Sequence, residues 1–463
     1  MSYLSHLHWG ADRKQLENIY KALIQSKLDY GSAVYGSAKK KHLQILNPIQ
    51  NRGMRLITGA FKSSPATSLA VDCDITPLFL HREEENAKVI LRSLKCADSR
   101  TSTLIKEEWR KNEPVWPPVK AAKELLKLRS IPSVAKIDFS LEPPWVRKNI
   151  EICKGPEITD KQNNQPQVIR HAFEEHRKVH ENCIEIYTDG SKTDTAVGFA
   201  TIVNLRTKII VNKRLSNNAS IFSAEAYAIK EALTIIKRKK IKKSVVFSDS
   251  KSVLMSLMNK SHPNPVIQSL QDSIHEVISD FKLSVTFCWI PSHCGILGNE
   301  EADKEAKNGC DLVDETEVVL PHKDYYAGLK KTVREKWQAL WNSEQSNKLK
   351  QIKPSLKKWS SSYHKTRRKE VVLARLRIGH TNLTHKHLME KRNPPVCRSC
   401  NVQETIFHIL TSCARTKPAR LKFYPDTANQ SPERILKMLL ADENIDIEKL
   451  IAFLKDIGIY DKI

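Results

Sequence analysis

The stretch CIEIYTDGS (183–191) is a short run of β-type residues that reaches a carboxylate, Asp189, followed by a glycine and a serine. Two further β-type runs follow at short intervals, AVGFATIV (196–203) and IIVNKRL (209–215). Alternating apolar runs separated by short polar segments are typical of a meander. The sequence therefore predicts three consecutive strands, with Asp189 near the end of the first.

The chain after the meander alternates between helical and strand patterns. The segment 222–238 has apolar residues at helical spacing and carries Glu225 near its start. The next strand pattern ends just before Asp249. Two helical segments, a strand at 283–290 and a helix that contains Asp303 complete the unit. The patterns thus predict the order β-β-β-α-β-α-α-β-α.

The four acids at these positions suggest a hydrolytic metal site. Cleavage of a phosphodiester requires an activated water and a stabilised leaving oxygen, and two divalent ions ~3.5–4 Å apart supply both. Magnesium prefers carboxylate, phosphate and water oxygens. Each acid alone also has an ordinary interpretation, as a turn residue, a helix-end charge, an N-cap or a solvated side chain. The acids are Asp189, Glu225, Asp249 and Asp303.

The set of motifs resembles the ribonuclease H family over about 125 residues. The matching segments are YTDGS, SAEAYAI, FSDS and IPSHCGILGNEEADKEA. The resemblance implies a mixed α/β fold with a five-stranded mixed sheet flanked by helices. It implies two-metal, endonucleolytic cleavage of the RNA strand of RNA–DNA hybrids, with two Mg²⁺ ions or Mn²⁺ in their place. It further implies that Asp189 bridges the metals, that Glu225 and Asp249 complete one shell, and that Asp303 helps to hold the other ion.

Residues beside the acids extend the predicted site. In the family, a histidine at the position of His293 assists proton transfer and product release; the alternative is that His293 is an ordinary polar loop residue. Gly190 and Ser191 resemble the backbone segment that contacts RNA 2′-hydroxyls. Asn299 matches a position that approaches the hybrid. We therefore expect His293 to be catalytic and the other three to bind substrate.

Composition points to a polyanionic partner. Lys and Arg number 76 against 52 Asp and Glu, a formal net charge of +24, and 321–420 alone holds 23 basic against 6 acidic residues. Such a charge favours nucleic acid. Apolar runs fall short of the ~20 residues of a spanning helix, and the N-terminus lacks the pattern of a secretory signal. We expect a nuclear or cytoplasmic protein, neither secreted nor membrane-bound, without a small-molecule cofactor.

A second metal motif lies near the end of the basic region. Its spacing is C-x2-C-x7-H-x4-C, and three thiolates with one imidazole suit tetrahedral Zn²⁺. The alternative is a set of reduced cysteines around a helix. The motif and the preceding GHT segment (379–381) resemble the zinc-binding tail that follows ribonuclease H in jockey-like non-LTR retrotransposons. The predicted ligands are Cys397, Cys400, His408 and Cys413. Such a tail could hold nucleic acid or protein.

The first hundred residues resemble the region after the polymerase core of those elements' reverse transcriptases. No two aspartates adjoin anywhere in the chain, so it lacks the paired aspartates of a polymerase. We therefore expect a partial retrotransposon polyprotein with ribonuclease activity; the alternative is a non-catalytic nucleic-acid-binding protein. The expected segments are a separate helical module at 1–110, a proline-rich linker at 111–180, the ribonuclease H domain at 181–310, a basic zinc region at 320–420 and a helical tail at 421–463.

Overall fold

The structure, a computed structural model, describes residues 1–96, 99–128, 130–136, 150–153, 166–442 and 445–463. Contacts divide the chain into two compact units. Unit 1 comprises Met1–Ala87, Trp116–Leu125 and Lys330–Ile463, and unit 2 comprises Lys88–Val115 and Leu126–Leu329. Within the described residues, no helix combines the length and apolar character needed to cross a bilayer.

Unit 2 is built on a mixed sheet, which has six strands in the part of the chain described. The order is β1-β6-β5-β2-β3-β4. The four strands from β1 to β2 are parallel, and β3 and β4 are antiparallel additions. The strands are β1 (Ile152–Cys153), β2 (Ile184–Lys192), β3 (Val197–Val203), β4 (Ile209–Leu215), β5 (Lys243–Ser248) and β6 (Ser284–Trp289).

Helices surround this sheet in chain order. They are α10 (Pro166–Lys178), α11 (Ile221–Lys239), α12 (Lys251–Met258), α13 (Pro265–Ser279) and α14 (Leu297–Cys310), and unit 2 also contains α8 (Arg100–Arg110). The start of α11 is fixed by Ser220, whose hydroxyl oxygen accepts a hydrogen bond from the Ser223 amide at 3.2 Å. Asp324 in turn accepts from the Ser220 amide and hydroxyl, both at 3.0 Å. This cap satisfies helix-end donors and fixes where α11 begins.

Two glycines reveal which helix covers each face of the sheet. A Cβ on Gly190 would lie 2.8 Å from the Glu225 amide nitrogen of α11. One on Gly198 would lie 2.6 Å from the carbonyl oxygen of Ala306 in α14. Gly190 pairs with Phe199, the neighbour of Gly198 in β3, and successive strand residues point to opposite faces. Helices α11 and α14 therefore cover opposite faces.

The predicted element order agrees with the structure from β2 to α14. The strand count differs, because the two-residue β1 pairs with β6 and makes a sixth strand. The prediction of an extended linker over 111–180 is wrong where that segment is described, since it contains α9 (Pro117–Leu126), β1 and α10. The proline-rich pattern suggested an extended chain, but prolines also occupy the first turn of helices, as in α9. Predicted linker residues 129, 137–149 and 154–165 lie outside the described residues.

Unit 1 is helical. Its helices before the sheet are α1 (Arg13–Tyr20), α2 (Ser26–Asp29), α3 (Ser32–Tyr35), α4 (Lys40–Leu43), α5 (Asn47–Thr58), α6 (Ala66–Cys73) and α7 (Leu78–Leu94), of which α7 runs on into unit 2, and α9 also belongs to this unit. After the sheet come α15 (Tyr325–Ser343), α16 (Arg367–Ile378), α17 (Asn382–Glu390), α18 (Ile406–Thr411), α19 (Lys417–Phe423), α20 (Pro432–Leu440) and α21 (Ile447–Asp456), with α15 beginning in unit 2.

The predicted separation of an N-terminal module from a C-terminal basic region is wrong, because both contribute to unit 1. The arginines of α16 connect them. Arg367 Nη1 donates to the carbonyl oxygen of Ile57 at 2.7 Å. Arg375 Nε donates to that of Gly59 at 2.8 Å. The buried guanidinium groups thus bind backbone carbonyls at the C-terminal end of α5. These hydrogen bonds link residues that are more than 300 positions apart in the sequence.

These arginines also correct the interpretation of the basic region. Four of them are at most 9% exposed: Arg367, Arg368, Arg375 and Arg377. Arg377 Nε donates to the carbonyl oxygen of Leu440 at 2.9 Å. Buried groups with intramolecular acceptors do not meet the phosphates of a nucleic acid. The count of basic residues in 321–420 therefore overstates the positive charge that this region presents to a polyanion.

Candidate active site

Two parallel strands bring Asp189 and Asp249 together. In the pairing of β2 with β5, Thr188 lies opposite Ser248. Asp189 follows Thr188, and Asp249 follows Ser248 directly after β5 ends. Because the partners are in register, the next residue of each strand falls at the same edge of the sheet. The strand pairing alone therefore explains why two acids 60 positions apart share a site.

Glu225 reaches the same place from α11. One carboxylate oxygen from each of Asp189, Glu225 and Asp249 lies within 4.8 Å of the others. The close approach depends on Gly190, because a Cβ there would lie 2.8 Å from the Glu225 amide nitrogen and 3.0 Å from Ala224 Cβ. The glycine thus allows α11 to pack directly against β2. The contact of Gly190 with substrate remains a prediction.

Burial gives the cluster unusual electrostatics. Asp189 and Glu225 are 5% and 6% exposed. Burial first, and then the charges of Asp249 and Asp303, raise the pKa of Asp189 to about 7. Burial, followed by the charges of Asp189 and Asp249, raises the pKa of Glu225 well above its usual range. Without a cation, the cluster therefore retains protons near neutral pH.

The chemistry of the donors suits a hard divalent cation. Glu225 Oε2 is buried and has no hydrogen-bond partner among the described residues. A buried carboxylate oxygen without a partner is costly unless a cation or proton satisfies it. All the donors in this group are oxygens, which Mg²⁺ prefers. The cluster therefore fits the predicted magnesium site.

Asp303 lies beside this group on α14. Its charge contributes to the raised pKa of Asp189, but it is not one of the three acids that lie within 4.8 Å of one another. Lys307 Nζ pairs with Asp303 Oδ2 at 2.7 Å, one helical turn away. Lys307 was not among the predicted site residues, although the i,i+4 spacing of opposite charges on a helix was a readable signal.

The remaining predicted site residues differ in exposure. His293 is exposed in the loop between β6 and α14, with a left-handed φ of +54°. Ser191 and Gly190 are half-buried on β2. Asn299 is 3% exposed, and its Oδ1 has no partner among the described residues. The predicted contact of Asn299 with substrate remains a prediction.

The cysteine motif forms a compact group in unit 1. One ligand-type atom from each of Cys397, Cys400, His408 and Cys413 lies within 4.8 Å of the others. The amide of Cys397 donates to the Val402 carbonyl at 2.8 Å, closing a turn around the first two cysteines. The histidine lies on α18, and the Cys413 amide donates to its carbonyl at 2.9 Å. Its Nε2 is buried without a hydrogen-bond partner in the described chain, which suits a role as a metal ligand.

Comparison with known proteins identifies the sheet-bearing part of the chain. Residues 181–311 match the family RNase H. No curated protein matches the chain.

Solved structures that match include RNase H1 from Halobacterium salinarum NRC-1, with 19% identity over 28% of this chain and 97% of that one, at a TM-score of 0.24. The N-terminal RNase H domain of a Mycobacterium tuberculosis protein, fused to maltose-binding protein, matches at 18% identity, 28% and 98% coverage and a TM-score of 0.24. LC11-RNase H1 in complex with an RNA/DNA hybrid matches at 17% identity, 28% and 96% coverage and a TM-score of 0.24. The family match assigns residues 181–311 to an RNase H domain.

Proposed function

We propose that this chain hydrolyses the RNA strand of RNA–DNA hybrids. The observation that carries the proposal is the gathering of three carboxylates, those of Asp189, Glu225 and Asp249, within 4.8 Å in an RNase H domain. Such a concentration of negative charge opposes folding unless cations neutralise it. A structural role does not account for that cost, whereas a two-metal hydrolase requires such a cluster.

In this proposal the acids hold two Mg²⁺ ions, or Mn²⁺ in their place. Asp189 would contribute to both ions, Glu225 and Asp249 would complete the shell of one, and Asp303 would help to hold the other. Bound cations supply the Lewis acidity that activates a water and stabilises the leaving 3′-oxygen, so that the products are a 5′-phosphate and a 3′-hydroxyl. The buried, unpartnered Oε2 of Glu225 supports the presence of a cation.

The other residues act on the substrate. The backbone of Gly190 and Ser191 lies on β2 beside Asp189, where it can meet the RNA 2′-hydroxyl that distinguishes RNA from DNA. His293, exposed on its loop, accepts and releases a proton during product departure. Lys307 holds the Asp303 carboxylate in an ion pair and would compete with a cation for it.

Unit 1 contributes a metal site of a different kind, which is structural. We propose that Cys397, Cys400, His408 and Cys413 bind Zn²⁺ as a closed tetrahedral site. The resemblance of this segment and of residues 1–100 to jockey-like retrotransposon proteins supports an origin in a partial polyprotein of that kind. The proposed domain limits remain 181–310 for the catalytic unit and 320–420 for the zinc region.

The proposal is tested with the full chain and three labelled substrates: an RNA–DNA hybrid, duplex DNA and duplex RNA, each with Mg²⁺. We expect selective loss of the hybrid's RNA strand. Asp189→Asn should lower the rate by at least about 10³-fold, because it removes the charge shared by both cation positions, while hybrid binding is kept.

The matched control is Asp194→Asn. Asp194 is exposed in the turn between β2 and β3, five residues from Asp189, and its substitution changes the charge equally. We expect the parental rate for this variant. Binding of the hybrid without cleavage by the parent chain would refute the proposal and support the non-catalytic alternative. An equal rate for Asp189→Asn and the parent would refute the assignment of the acids.

A further inference from the structure

A second group of cysteines and histidines lies in unit 2, at the β1 edge of the sheet. One ligand-type atom from each of Cys153, His176 and His180 lies within 4.8 Å of the others. Cys153 is on β1, and the two histidines are on α10. The sequence pattern did not predict this group. All three residues fall in the predicted linker, and Cys153 is not part of a Cys-x2-Cys motif.

Cys288 of β6 lies beside this group, although it is not one of the three residues whose ligand atoms are all within 4.8 Å of one another. Its Sγ lies 3.2 Å from His176 Nε2, and Cys153 Sγ lies 3.8 Å from His180 Nε2. Cys153 and Cys288 are direct partners in the pairing of β1 with β6, so their side chains point to the same face of the sheet. The four side chains therefore converge from two strands and one helix.

The sheet register explains why α10 meets these cysteines. Tyr187, Phe247, Cys288 and Cys153 are successive partners across β2, β5, β6 and β1. Phe173 of α10 packs into the same core cluster as the first three. Residues four apart on a helix lie on one face, so His176 and His180 are directed to the same side of α10. Their ring centroids are 5.4 Å apart.

We propose that Cys153, His176, His180 and Cys288 bind one Zn²⁺ ion. Two thiolates and two imidazoles form a ligand set typical of structural zinc, with Zn–S of ~2.3 Å and Zn–N of ~2.0–2.1 Å, which puts tetrahedral ligand atoms about 3.3–3.8 Å apart. The His176 Nε2–Cys288 Sγ distance of 3.2 Å and the Cys153 Sγ–His180 Nε2 distance of 3.8 Å are close to that spacing. The Sγ atoms of Cys397 and Cys413 in the other cluster are similarly spaced, at 3.7 Å.

The proposed ion fastens β1 and α10, which precede residue 181, to the RNase H domain. Strand β1 has two residues, and besides its pairing with β6 the Glu151 carboxylate accepts from Thr286 Oγ1 at 3.3 Å. An edge strand this short contributes little stability by itself. All four ligand positions come from the protein, which is typical of a structural rather than a catalytic site. Cys288 lies two strands from Tyr187 of β2, about 10 Å away, so the site is distinct from the carboxylates.

Two arrangements without metal compete with this proposal. The thiols and imidazoles could simply share hydrogen bonds, or Cys153 and Cys288 could form a disulfide, since partners on adjacent strands are close. Each arrangement predicts a different chemical reactivity of the two cysteines. The experiment therefore measures both metal content and thiol reactivity.

The first measurement is the zinc content of the purified full chain by elemental mass spectrometry. Cys153→Ser and His180→Asn should each lose about one zinc ion per chain. Cys183→Ser is the matched control, because Cys183 packs against the same core cluster but is not part of the group, and it should retain the parental content. Parental zinc content in both ligand variants would overturn the proposal.

The second measurement uses the parent chain, so that no variant needs to fold. Native protein is treated with iodoacetamide with and without a zinc chelator, and the labelled cysteines are located by peptide mass spectrometry. We expect Cys153 to react only after chelation, whereas the exposed Cys96 reacts in both conditions. Cys288 is fully buried and does not serve as a reporter. Labelling of Cys153 that is independent of the chelator, or a peptide pair joined by a Cys153–Cys288 disulfide, would overturn the proposal.

Discussion

The carboxylate cluster of unit 2 and the cysteine cluster of unit 1 are built on different principles. Asp189, Glu225 and Asp249 offer only oxygen atoms, and their mutual repulsion and burial raise the pKa values of the first two. The cysteine cluster (Cys397, Cys400, His408 and Cys413) offers three sulfurs and a nitrogen from a single short segment. Hard oxygen ligands suit exchangeable Mg²⁺, and soft ligands suit tightly held Zn²⁺.

The difference between the two clusters corresponds to two roles of a bound metal, one catalytic and one structural. The carboxylates are carried by two strands and a helix of the sheet core, so their positions are set by packing whether or not a cation is bound. The cysteine cluster is carried by a turn and the six-residue α18, which are too short to be stable by themselves. We therefore expect magnesium to control activity and zinc to control local folding.

The largest expected effect tests the second half of this comparison. Cys413→Ser, or zinc chelation, should abolish hydrogen-exchange protection of residues 396–413, because structural zinc in small motifs contributes on the order of 10 kcal/mol. Strands β2 and β5 should keep their protection. Hydrogen–deuterium exchange measured by mass spectrometry gives both readings.

The control for that experiment is Cys96→Ser, which removes an exposed thiol outside the cluster. Its exchange pattern should match that of the parent chain. If protection of 396–413 survived both Cys413→Ser and chelation, the segment would not depend on a metal, and the contrast between the two clusters would fail.

A smaller effect concerns the cost of the carboxylate cluster. The folded-state pKa of Asp189 is raised to about 7, so between about pH 4 and pH 7 the folded chain binds more protons than the unfolded chain. Stability of the magnesium-free protein should therefore fall as the pH rises through this window. Asp189→Asn should remove the loss and raise the free energy of unfolding at pH 8 by on the order of 2–4 kcal/mol.

Urea denaturation at pH 5 and pH 8, in magnesium-free buffer that retains zinc, measures this difference. Asp194→Asn is again the control and should follow the parent chain at both pH values. An Asp189→Asn variant that gained no more stability at pH 8 than at pH 5 would contradict the proposed origin of the raised pKa.

The smallest effect concerns Lys307. Its pair with Asp303 is solvent-exposed, with 60% of the lysine side chain accessible, and such pairs contribute about 0–1 kcal/mol. Lys307→Gln should leave stability nearly unchanged but lower the magnesium concentration for half-maximal cleavage about two- to fivefold, because the cation no longer competes with an ammonium group. A magnesium titration of hybrid cleavage measures this.

The control is Lys304→Gln, an exposed lysine on the same helix. It changes the net charge equally and should leave the magnesium requirement closer to the parental value. An equal shift in both variants would mean that overall charge, rather than the pair with Asp303, sets the requirement.

Much of the RNase H domain was predictable because its information is local. Asp189 and Asp249 follow strand patterns, and Glu225 lies in a strongly amphipathic helix, so each acid could be placed on its element from nearby residues. The element order from β2 to α14 agrees with the structure for the same reason. The role of Gly190 in letting α11 approach β2 could not be read, since it depends on the distance between two elements.

The burial of the basic residues of α16 could not be predicted from the sequence. Composition counts Arg367, Arg375 and Arg377 as positive surface, yet the structure buries them. Their acceptors are backbone carbonyls, such as those of Ile57 and Gly59, and a carbonyl is present at every position of any sequence. No pattern of side chains therefore marks these partners in advance.

The sequence by itself determined the four acids and the Cys-x2-Cys…His…Cys motif, because in each case neighbouring residues identify the chemistry. Only the tertiary structure decided that residues 1–87 join 330–463 in one unit, and that Cys153 meets Cys288 across 135 positions through β1 and β6. Pairings of this kind depend on which edges and faces come together when the chain packs. Packing is a property of the whole fold, whereas motifs are properties of short segments.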